Sequence, residues 1–235
     1  MATDLDPGGP ARLGIAIQLG LVFDLDGTLI DSRQDIAEAA NHALGAHGFP
    51  TLSVSEIAGF VGDGARPLLA RAARLAANAP ELDALLKTFL AYYAAHPTDH
   101  TLLLPGAHEA LAQLSHLPLA LCTNKPRAIT DAVLANLRLP VKFRVVVGGG
   151  DLPKSKPDPL PLLHIAEQLG LSPAELVMIG DGAQDIACAK AAGAHSVGVE
   201  GGIQGQEAML SEGPDVVLKS LTELPAVIER LLNQA

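Results

Sequence analysis

The chain has no tryptophan, and aromatic residues account for only 3% of its 235 positions. Its hydrophobic content is 49%, so alanine, leucine and valine must supply most of a buried core. Only two cysteines occur, Cys122 and Cys188, and both lie in apolar or helical stretches. This is far from the composition of a disulfide-rich secreted domain. We therefore expect two buried, reduced thiols in a cytoplasmic protein.

Basic residues are also scarce. The 16 lysines and arginines are outnumbered by 26 aspartates and glutamates, which gives a net charge of −10. Nucleic acids and anionic membrane surfaces are bound by basic patches, so this balance argues against both kinds of partner. An anionic small molecule would need a metal ion or a few chosen lysines and arginines in order to bind.

Long apolar runs are missing as well, and none reaches the length needed to cross a bilayer. The first ten residues are acidic and rich in glycine and proline, without the basic segment that begins a secretory signal. We expect residues 1–18 to form a flexible tail. Nothing in the pattern favours a particular oligomeric state.

The spacing of hydrophobic residues divides the rest of the chain into two kinds of segment. Residues 32–100 show helical spacing throughout. From residue 105 onward, short apolar strands alternate with helices, and one more apolar strand precedes the helical segment. Such alternation favours a mostly parallel sheet with helices on both faces. Residues 32–35 also match a capping box, with Ser32 as the N-cap of the first helix.

The stretch that organises the chain is Leu21–Leu29, in which the first apolar strand runs into Asp24 and Asp26. Open α/β sheets bind their ligands at the carboxyl ends of strands, where Asp24 would lie. Two neighbouring carboxylates are costly unless a cation lies between them, and oxygen-only ligands suit Mg²⁺. Gly27 and Thr28 then turn the chain and offer backbone N–H groups and a hydroxyl to an anion.

Further polar sites fall where loops leave the predicted strands: Thr123 with Asn124, Lys156, and Asp181 with Asp185. Each of these residues has an ordinary interpretation when it is taken alone. A threonine often caps a helix, a lysine is usually solvated, and an aspartate in the first turn of a helix is favoured by the helix dipole. The order and spacing of the whole set are what make it informative.

Together with Asp24 and Asp26, these sites resemble the four motifs of the haloacid dehalogenase (HAD) superfamily of phosphohydrolases. The resemblance extends from about residue 20 to the C-terminal helix. It implies an α/β fold with a Rossmann-like three-layer α/β/α core and a mostly parallel sheet, formed by residues 19–31 and 101–235. Residues 32–100 would be inserted into this core as a small all-helical cap domain.

The resemblance implies a role for each matched catalytic residue. Asp24 would be the nucleophile that forms an aspartyl-phosphate, and Asp26 the general acid and base. Thr123 would hydrogen-bond a phosphoryl oxygen, Asn124 would position the substrate, and Lys156 would neutralise charge at the nucleophile.

The same resemblance implies a Mg²⁺ cofactor and its ligands. Asp24, the backbone carbonyl of Asp26, and Asp181 would hold the ion, while Asp185 would orient these ligands or Lys156 from behind. Haloacid dehalogenases themselves lack an acid at the position of Asp26 and need no metal, and transport ATPases carry threonine there. Asp26 therefore favours phosphatase or phosphomutase chemistry.

Within the superfamily, the inserted segment and parts of the core resemble the phosphoglycolate phosphatases. The matching stretches are residues 60–66, 92–93, 104–106, 148–151 and 156–159. We expect a Mg²⁺-dependent phosphomonoester hydrolase that converts a small phosphorylated metabolite, 2-phosphoglycolate, to glycolate and phosphate. The alternatives are a sugar-phosphate phosphatase or a β-phosphoglucomutase-like phosphomutase with the same cap, and a non-catalytic binding protein of this fold. One departure from the family pattern is the stretch Gly182-Ala183-Gln184 in the fourth motif, where a serine commonly follows the first aspartate.

Specificity for the leaving group has to come from the cap, because a core that holds only the phosphoryl group treats all monoesters alike. Gly27 and the turn at residues 62–64 are expected to place backbone donors near the substrate. Arg66 is the nearest cation in sequence and is expected to pair with the glycolate carboxylate. The alternative for Arg66 is a position on the cap surface with no contact to substrate. Tyr92 and Tyr93 are expected to be core or interface residues.

Overall fold

A computed structural model describes residues 18–234, so all but the last residue of the predicted tail at 1–18 lies outside the described residues. The strands in chain order are β1 (Gly20–Phe23), β2 (Ile30–Asp31), β3 (Leu102–Leu103), β4 (Leu119–Pro126), β5 (Val145–Gly149), β6 (Leu176–Gly180), β7 (His195–Val199) and β8 (Val216–Leu218). The helices are α1 (Arg33–Ala46), α2 (Val54–Ala58), α3 (Ala65–Ala73), α4 (Glu81–Ala95), α5 (Ala107–Gln113), α6 (Arg127–Asn136), α7 (Leu160–Leu169), α8 (Ala183–Ala192), α9 (Gln206–Ser211) and α10 (Leu224–Gln234).

Six of the strands form one parallel sheet in the order β5-β4-β1-β6-β7-β8. Every residue of β1 is buried, as expected for an apolar strand that is covered on both faces. The chain proceeds to β4 on one side of β1 and later to β6 on the other, so the loops after these three strands leave the same edge of the sheet side by side. The predicted α/β fold is confirmed.

The core has one hydrophobic cluster on each face of the sheet. Leu21 and Phe23 of β1 point to one face and pack with helices α5, α6 and α10. Val22 points to the other face and packs with α7 and α8, because side chains alternate along a strand. The result is a three-layer arrangement. Cys122 and Cys188 both lie in the second cluster as buried, free thiols, in agreement with the sequence.

The segment between β2 and β3 folds into helices α1–α4, and we call residues 32–100 the cap. β2 and β3 pair antiparallel, with Ile30 opposite Leu103, at the two points where the chain enters and leaves this segment. The sequence does not predict this pair because two-residue strands are too short to show a hydrophobic period. Within residues 18–234, no helix combines the length and the apolar character that a membrane crossing requires.

Ser32 precedes α1, but it does not cap the helix as the sequence predicts. Its Oγ donates to Asp26 Oδ1 at 2.6 Å, and its side chain makes no capping hydrogen bond. At the other end of the predicted capping box, Asp35 accepts hydrogen bonds from the His100 N–H at 2.9 Å and from Thr101 Oγ1 at 2.5 Å. Partners on other loops therefore outcompete the local capping contacts at this end of α1.

Candidate active site

The site lies at the edge of the sheet where β1, β4 and β6 end. Asp24 directly follows β1, and its N–H donates to Ile179 O at 2.9 Å, which fixes it beside the end of β6. Asp181 directly follows β6, and Thr123 belongs to the last half of β4. Because these strands are neighbours, residues that are about 60 to 160 positions apart in sequence converge on one small buried volume.

Lys156 anchors the site from the loop between β5 and α7. Its Nζ donates to Asp24 Oδ1 at 2.9 Å, to Asp185 Oδ1 at 2.6 Å and to Cys122 O at 2.6 Å. Burial opposes the charged form, but the two carboxylates outweigh it and hold the pKa of Lys156 well above its usual range. The ammonium is thus a fixed positive charge that orients Asp24.

The two carboxylates bound by this ammonium form a cluster with a third, Asp181. Oxygen atoms of Asp24, Asp181 and Asp185 all lie within 4.8 Å of one another. Burial, assisted by the neighbouring carboxylates, raises the pKa of Asp24 to about 7, although Lys156 opposes the shift. Burial and the charge of Asp24 likewise raise the pKa of Asp181 to about 6. One lysine does not balance this much buried negative charge, so an all-oxygen cluster of this kind fits a hard divalent cation.

Asp181 is held in place by the turn after β1 and by a loop that sequence reasoning did not identify. Thr28 Oγ1 donates to Asp181 Oδ1 at 3.0 Å, and the N–H groups of Ile203 and Gln204 donate to Oδ2 at 2.9 and 3.2 Å. Gly27 has φ +91°, and a Cβ at that position would lie 2.2 Å from Asp181 Oδ2. Glycine is therefore required here for close packing of the turn on Asp181, whatever contact Gly27 makes with a substrate.

The Asp26 side chain is held apart from this cluster by a second buried lysine. Lys125 Nζ donates to Asp26 Oδ1 at 2.9 Å and to Oδ2 at 3.2 Å, and Ser32 Oγ donates to Oδ1. Burial lowers the pKa of Lys125, but Asp26 and Tyr93 outweigh that effect and hold the pKa above its ordinary value. Asp24 therefore brings its carboxylate to the acidic cluster, whereas the Asp26 carboxylate does not join it. This does not bear on the predicted metal ligand at Asp26, which is its backbone carbonyl.

Lys125 is a site residue that the sequence analysis missed. The only signal available was its position directly after Thr123 and Asn124, and a lone lysine before a helix is usually solvated. In the structure β4 extends to Pro126, four residues beyond the apolar run that ends at Cys122, and this extension carries Lys125 into the site. Its side chain is 2% exposed.

Thr123 and Asn124 are both brought to the site, with different consequences. Thr123 Oγ1 accepts from the Lys125 N–H at 3.2 Å, so its own proton remains available for an acceptor in the site. Asn124 Nδ2 donates to Gly62 O and Lys156 O, both at 2.9 Å, and Oδ1 accepts from the Lys156 N–H at 3.1 Å. The Asn124 amide is thus engaged with protein groups, and it ties the cap loop to the loop that carries Lys156.

A cavity of about 450 Å³, counting its open mouth, lies between the cap and the edge of the sheet. Its polar floor consists of Asp24, Asp26, Thr123, Asn124 and Lys125, together with Pro126. The cap side is lined by Ile36, Val61, Gly62, Gly64, Ala65, Leu68, Phe89 and Tyr93, and Gln204 closes one side. Among these cap residues, only Tyr93 has a polar side chain. The cavity therefore joins a charged floor to an almost wholly apolar roof.

Arg66 is a predicted substrate-binding residue that the structure places on the cap surface, away from this cavity. Its Nη1 donates to Asp83 Oδ1 at 2.6 Å and its Nε donates to Ala77 O at 3.4 Å, on the outer side of the cap. Asp63 of the predicted anion-binding turn pairs with Arg71 in the same way. Local partners on the cap surface thus occupy the guanidinium. Tyr93 is buried in the hydrophobic core, as expected, and it also lines the cavity.

Comparisons with known proteins agree with this geometry. The model of the haloacid dehalogenase-like hydrolase family matches residues 21–199. The chain is 38% identical over 210 residues to a phosphoglycolate phosphatase of Chromobacterium violaceum, which covers 87% of this chain and 93% of the relative. A phosphoglycolate phosphatase of Escherichia coli K12 is 36% identical over 227 residues, with 87% and 90% covered. The crystal structure of a predicted phosphoglycolate phosphatase from Haemophilus somnus has a TM-score of 0.83 and 28% identity, and the match covers 92% of this chain and 100% of that chain.

The family model covers well over half of the chain, and the two relatives cover most of it at 36–38% identity. The motif residues that the resemblance singled out lie together around Lys156 and Lys125 at one edge of the sheet. The chain therefore belongs to the haloacid dehalogenase-like hydrolase family and is one of its phosphatases.

Proposed function

We propose that this protein is a Mg²⁺-dependent phosphoglycolate phosphatase that works through an aspartyl-phosphate on Asp24. One observation supports this most directly. Asp24 and Asp26 are only two positions apart, yet each is bound by a different buried lysine and lies in a different environment. Lys156 holds Asp24 within the acidic cluster, and Lys125 holds Asp26 beside the cavity. One carboxylate is therefore placed to attack phosphorus while the other is placed to serve the leaving oxygen.

In the first step, a carboxylate oxygen of Asp24 attacks phosphorus, and the bond from phosphorus to the leaving oxygen breaks. Asp26, as the carboxylic acid, gives its proton to that oxygen, so that glycolate leaves with a neutral hydroxyl group. Thr123 Oγ donates its free proton to a phosphoryl oxygen, and the Lys156 ammonium offsets negative charge next to Asp24.

In the second step, Asp26, now a carboxylate, accepts a proton from water as the water oxygen attacks phosphorus. The acyl-phosphate bond breaks, phosphate leaves, and Asp24 returns to a carboxylate. Proton transfer by a positioned carboxyl group of this kind contributes about 10²–10⁴-fold to rate. Lys125 and Ser32 keep Asp26 directed at the leaving oxygen in both steps.

Asp24, Asp181 and the backbone carbonyl of Asp26 are the proposed Mg²⁺ ligands, with Asp185 orienting them through Lys156 and the Gly182 N–H. When bound, the ion offsets negative charge on the transferring phosphoryl group. The oxygen-only donor set and the raised pKa values of Asp24 and Asp181 support a hard divalent cation at this point.

The apolar roof supports a small acid rather than a sugar phosphate as the substrate. Each sugar hydroxyl that met Val61, Leu68 or Phe89 would lose its hydrogen bonds to water without gaining others, at about 1–3 kcal/mol per group. A phosphomutase also needs a second phosphate site in the cap, yet Arg66 and Arg71 are paired with Asp83 and Asp63 outside the cavity. The names of the relatives support phosphoglycolate in particular.

The test is phosphate release with Mg²⁺ from 2-phosphoglycolate, glucose 6-phosphate and β-glucose 1-phosphate, each assayed over a concentration series. We expect kcat/KM to be highest for 2-phosphoglycolate, with no conversion of β-glucose 1-phosphate to glucose 6-phosphate. Asp24→Asn is the control for contaminating phosphatases. A preference for either sugar phosphate would reject phosphoglycolate as the substrate while leaving the phosphatase assignment intact.

A further inference from the structure

Tyr93 is a buried polar group on the cap side of the cavity whose proton has no acceptor within residues 18–234. It belongs to α4, its side chain is about 1% exposed, and it lines the cavity. Lys125 Nζ donates to Tyr93 Oη at 2.5 Å. An ammonium group has no lone pair, so it can only donate. The phenolic proton must therefore point elsewhere, and among the described residues no hydrogen bond uses it.

The phenol keeps that proton at any physiological pH. Burial raises the pKa of Tyr93 to about 12, although the charge of Lys125 opposes the shift. A neutral hydroxyl whose oxygen is already engaged by Lys125, at the wall of a cavity, is a donor ready for a ligand. A buried donor left unpaired costs about 1–3 kcal/mol, which favours an acceptor at this position in the liganded protein.

The Lys125–Tyr93 pair also lies beside the carboxyl group that is proposed to protonate the leaving oxygen. Lys125 contacts both oxygens of Asp26, the group proposed to protonate the leaving oxygen. In 2-phosphoglycolate a single methylene separates that oxygen from the carboxylate. A substrate whose leaving oxygen meets Asp26 can therefore place its carboxylate near Lys125, which contacts Asp26, and near Tyr93, which Lys125 contacts in turn.

We infer that Tyr93 and Lys125 form the recognition site for a carboxylate on the leaving group. The Tyr93 hydroxyl donates to a carboxylate oxygen, and the Lys125 ammonium is the counter-charge beside it. This inference rests on the proposed function and deepens it, because it assigns substrate selectivity to a cap helix and a strand end in place of Arg66. The enzyme accordingly acts on small monoesters whose leaving group carries an anion close to the ester oxygen.

Charge supports this assignment over other parts of the cavity. A desolvated carboxylate requires a charged or strongly donating partner. Among the residues that line the cavity, Lys125 is the one cation, since Lys156 donates to Asp24, Asp185 and Cys122 beneath the floor. Elsewhere the roof offers apolar side chains such as Leu68 and Phe89.

The competing interpretation is that Tyr93 is only a core residue. Its ring does pack edge-on against Phe89, with centroids 5.5 Å apart. In that case the ring would matter and the hydroxyl would not affect the choice of substrate, so removing the hydroxyl alone separates the two interpretations.

The experiment compares Tyr93→Phe with wild type on 2-phosphoglycolate and on 2-hydroxyethyl phosphate, in which a CH₂OH group replaces the carboxylate. We expect kcat/KM for 2-phosphoglycolate to fall about ten- to a hundredfold, mainly through KM, the usual effect of losing a hydrogen bond to a charged group. Activity on 2-hydroxyethyl phosphate should change less than about threefold. Tyr92→Phe is the matched control, because Tyr92 stacks between His42 and His96 on the cap and does not line the cavity. Tyr92→Phe should leave kcat/KM unchanged for both substrates.

A second measurement is independent of turnover. In the Asp24→Asn background, adding Tyr93→Phe should weaken binding of 2-phosphoglycolate about tenfold or more in titration calorimetry and leave 2-hydroxyethyl phosphate unchanged. Equal losses on both ligands, or no loss on either, overturn the carboxylate site. Equal kcat/KM of the wild-type enzyme for both substrates would also overturn the carboxylate site, although the phosphatase assignment would remain. Selective loss of binding without any turnover of 2-phosphoglycolate would instead reject the proposed function and keep the site.

Discussion

Lys125 and Asp26, 99 positions apart in the sequence, form a buried ion pair with an Nζ to Oδ1 distance of 2.9 Å. Their side chains are 2% and 10% exposed. Asp26 lies in the loop after β1, Lys125 lies near the end of β4, and Lys125 also donates to Tyr93 in the cap. The Lys125 side chain thus links Asp26, the proposed general acid and base, to the cap wall of the cavity.

Removing one partner of this pair should be worse for stability than removing both. Lys125→Met leaves the Asp26 carboxylate buried without its counter-ion, a change that typically costs about 3–5 kcal/mol. The double variant Lys125→Met with Asp26→Asn removes both charges and should recover most of that loss in urea unfolding. If the double variant is as unstable as the sum of the two single variants, the ion pair is not the coupling between these residues.

The protein should bind Mg²⁺ more strongly at pH 8 than at pH 5. The ordinary carboxyl pKa is 3.8, whereas the pKa is about 7 for Asp24 and about 6 for Asp181 in the folded, metal-free protein. The folded state keeps these protons when the unfolded chain has lost them, so the stability that these two groups contribute is full below pH 4 and declines toward pH 7. Mg²⁺ displaces protons at pH 5 but hardly any at pH 8.

The measurement is the shift in Tm on adding Mg²⁺ at each pH, with Asp181→Asn as the comparison. We expect a larger Mg²⁺-induced shift at pH 8 than at pH 5, and a much smaller one in the variant. A shift of the same size at both pH values would show that the ion binds away from Asp24 and Asp181.

Arg66→Ala should leave catalysis almost unchanged. Its guanidinium is paired with Asp83 on the surface, where the two side chains are 39% and 76% exposed, so the pair contributes at most about 1 kcal/mol to stability. We expect kcat/KM for 2-phosphoglycolate to stay within about twofold of wild type, and Arg71→Ala to serve as a second surface control. A tenfold loss of kcat/KM for 2-phosphoglycolate alone would instead show that Arg66 contacts the carboxylate of the substrate.

The two cysteines should be inert in the native protein. Burial raises the pKa of the Cys188 thiol to about 12 and that of Cys122 further still, and the thiolate is the reactive form. Ellman's reagent at pH 8 should detect almost no thiol in native protein and two per chain in urea. Rapid reaction of native protein would mean that the cluster containing both residues opens readily.

The sequence was sufficient to predict those parts of the site whose residues lie at strand ends. Asp24 and Asp181 follow apolar strands of a parallel sheet and Thr123 follows the apolar half of another, so the fold alone brings them to one edge. Lys125 was not predicted because strand ends inferred from sequence are uncertain by several residues. It lies three residues beyond Cys122, so a small error in the strand end decides whether its side chain is expected to be buried or solvated. Ser32 matched a capping motif, yet Asp26 is the better partner for its hydroxyl.

Arg66 illustrates the other limit of sequence reasoning. Its type and its position in the cap suited a carboxylate ligand, but Asp83 lies on the next helix and pairs with it. Charged side chains on a surface find whichever partner the packing of helices brings near, and a linear sequence does not contain that packing. The short pair of β2 and β3 was hidden because each strand has only two residues and its partner lies far away in the sequence.

The central claim is that Asp24 carries the phosphoryl group, and it is tested most directly by trapping that intermediate. Asp26→Asn should accumulate it with p-nitrophenyl phosphate, whose leaving group needs no acid, because the variant lacks the base that activates water in the second step. After an acid quench and proteolysis, mass spectrometry should find one phosphoryl group on Asp24 in the peptide that contains residues 21–29, and none in Asp24→Asn. A phosphoryl group on any other residue, or p-nitrophenol released in a burst without phosphorylated Asp24, would contradict the account.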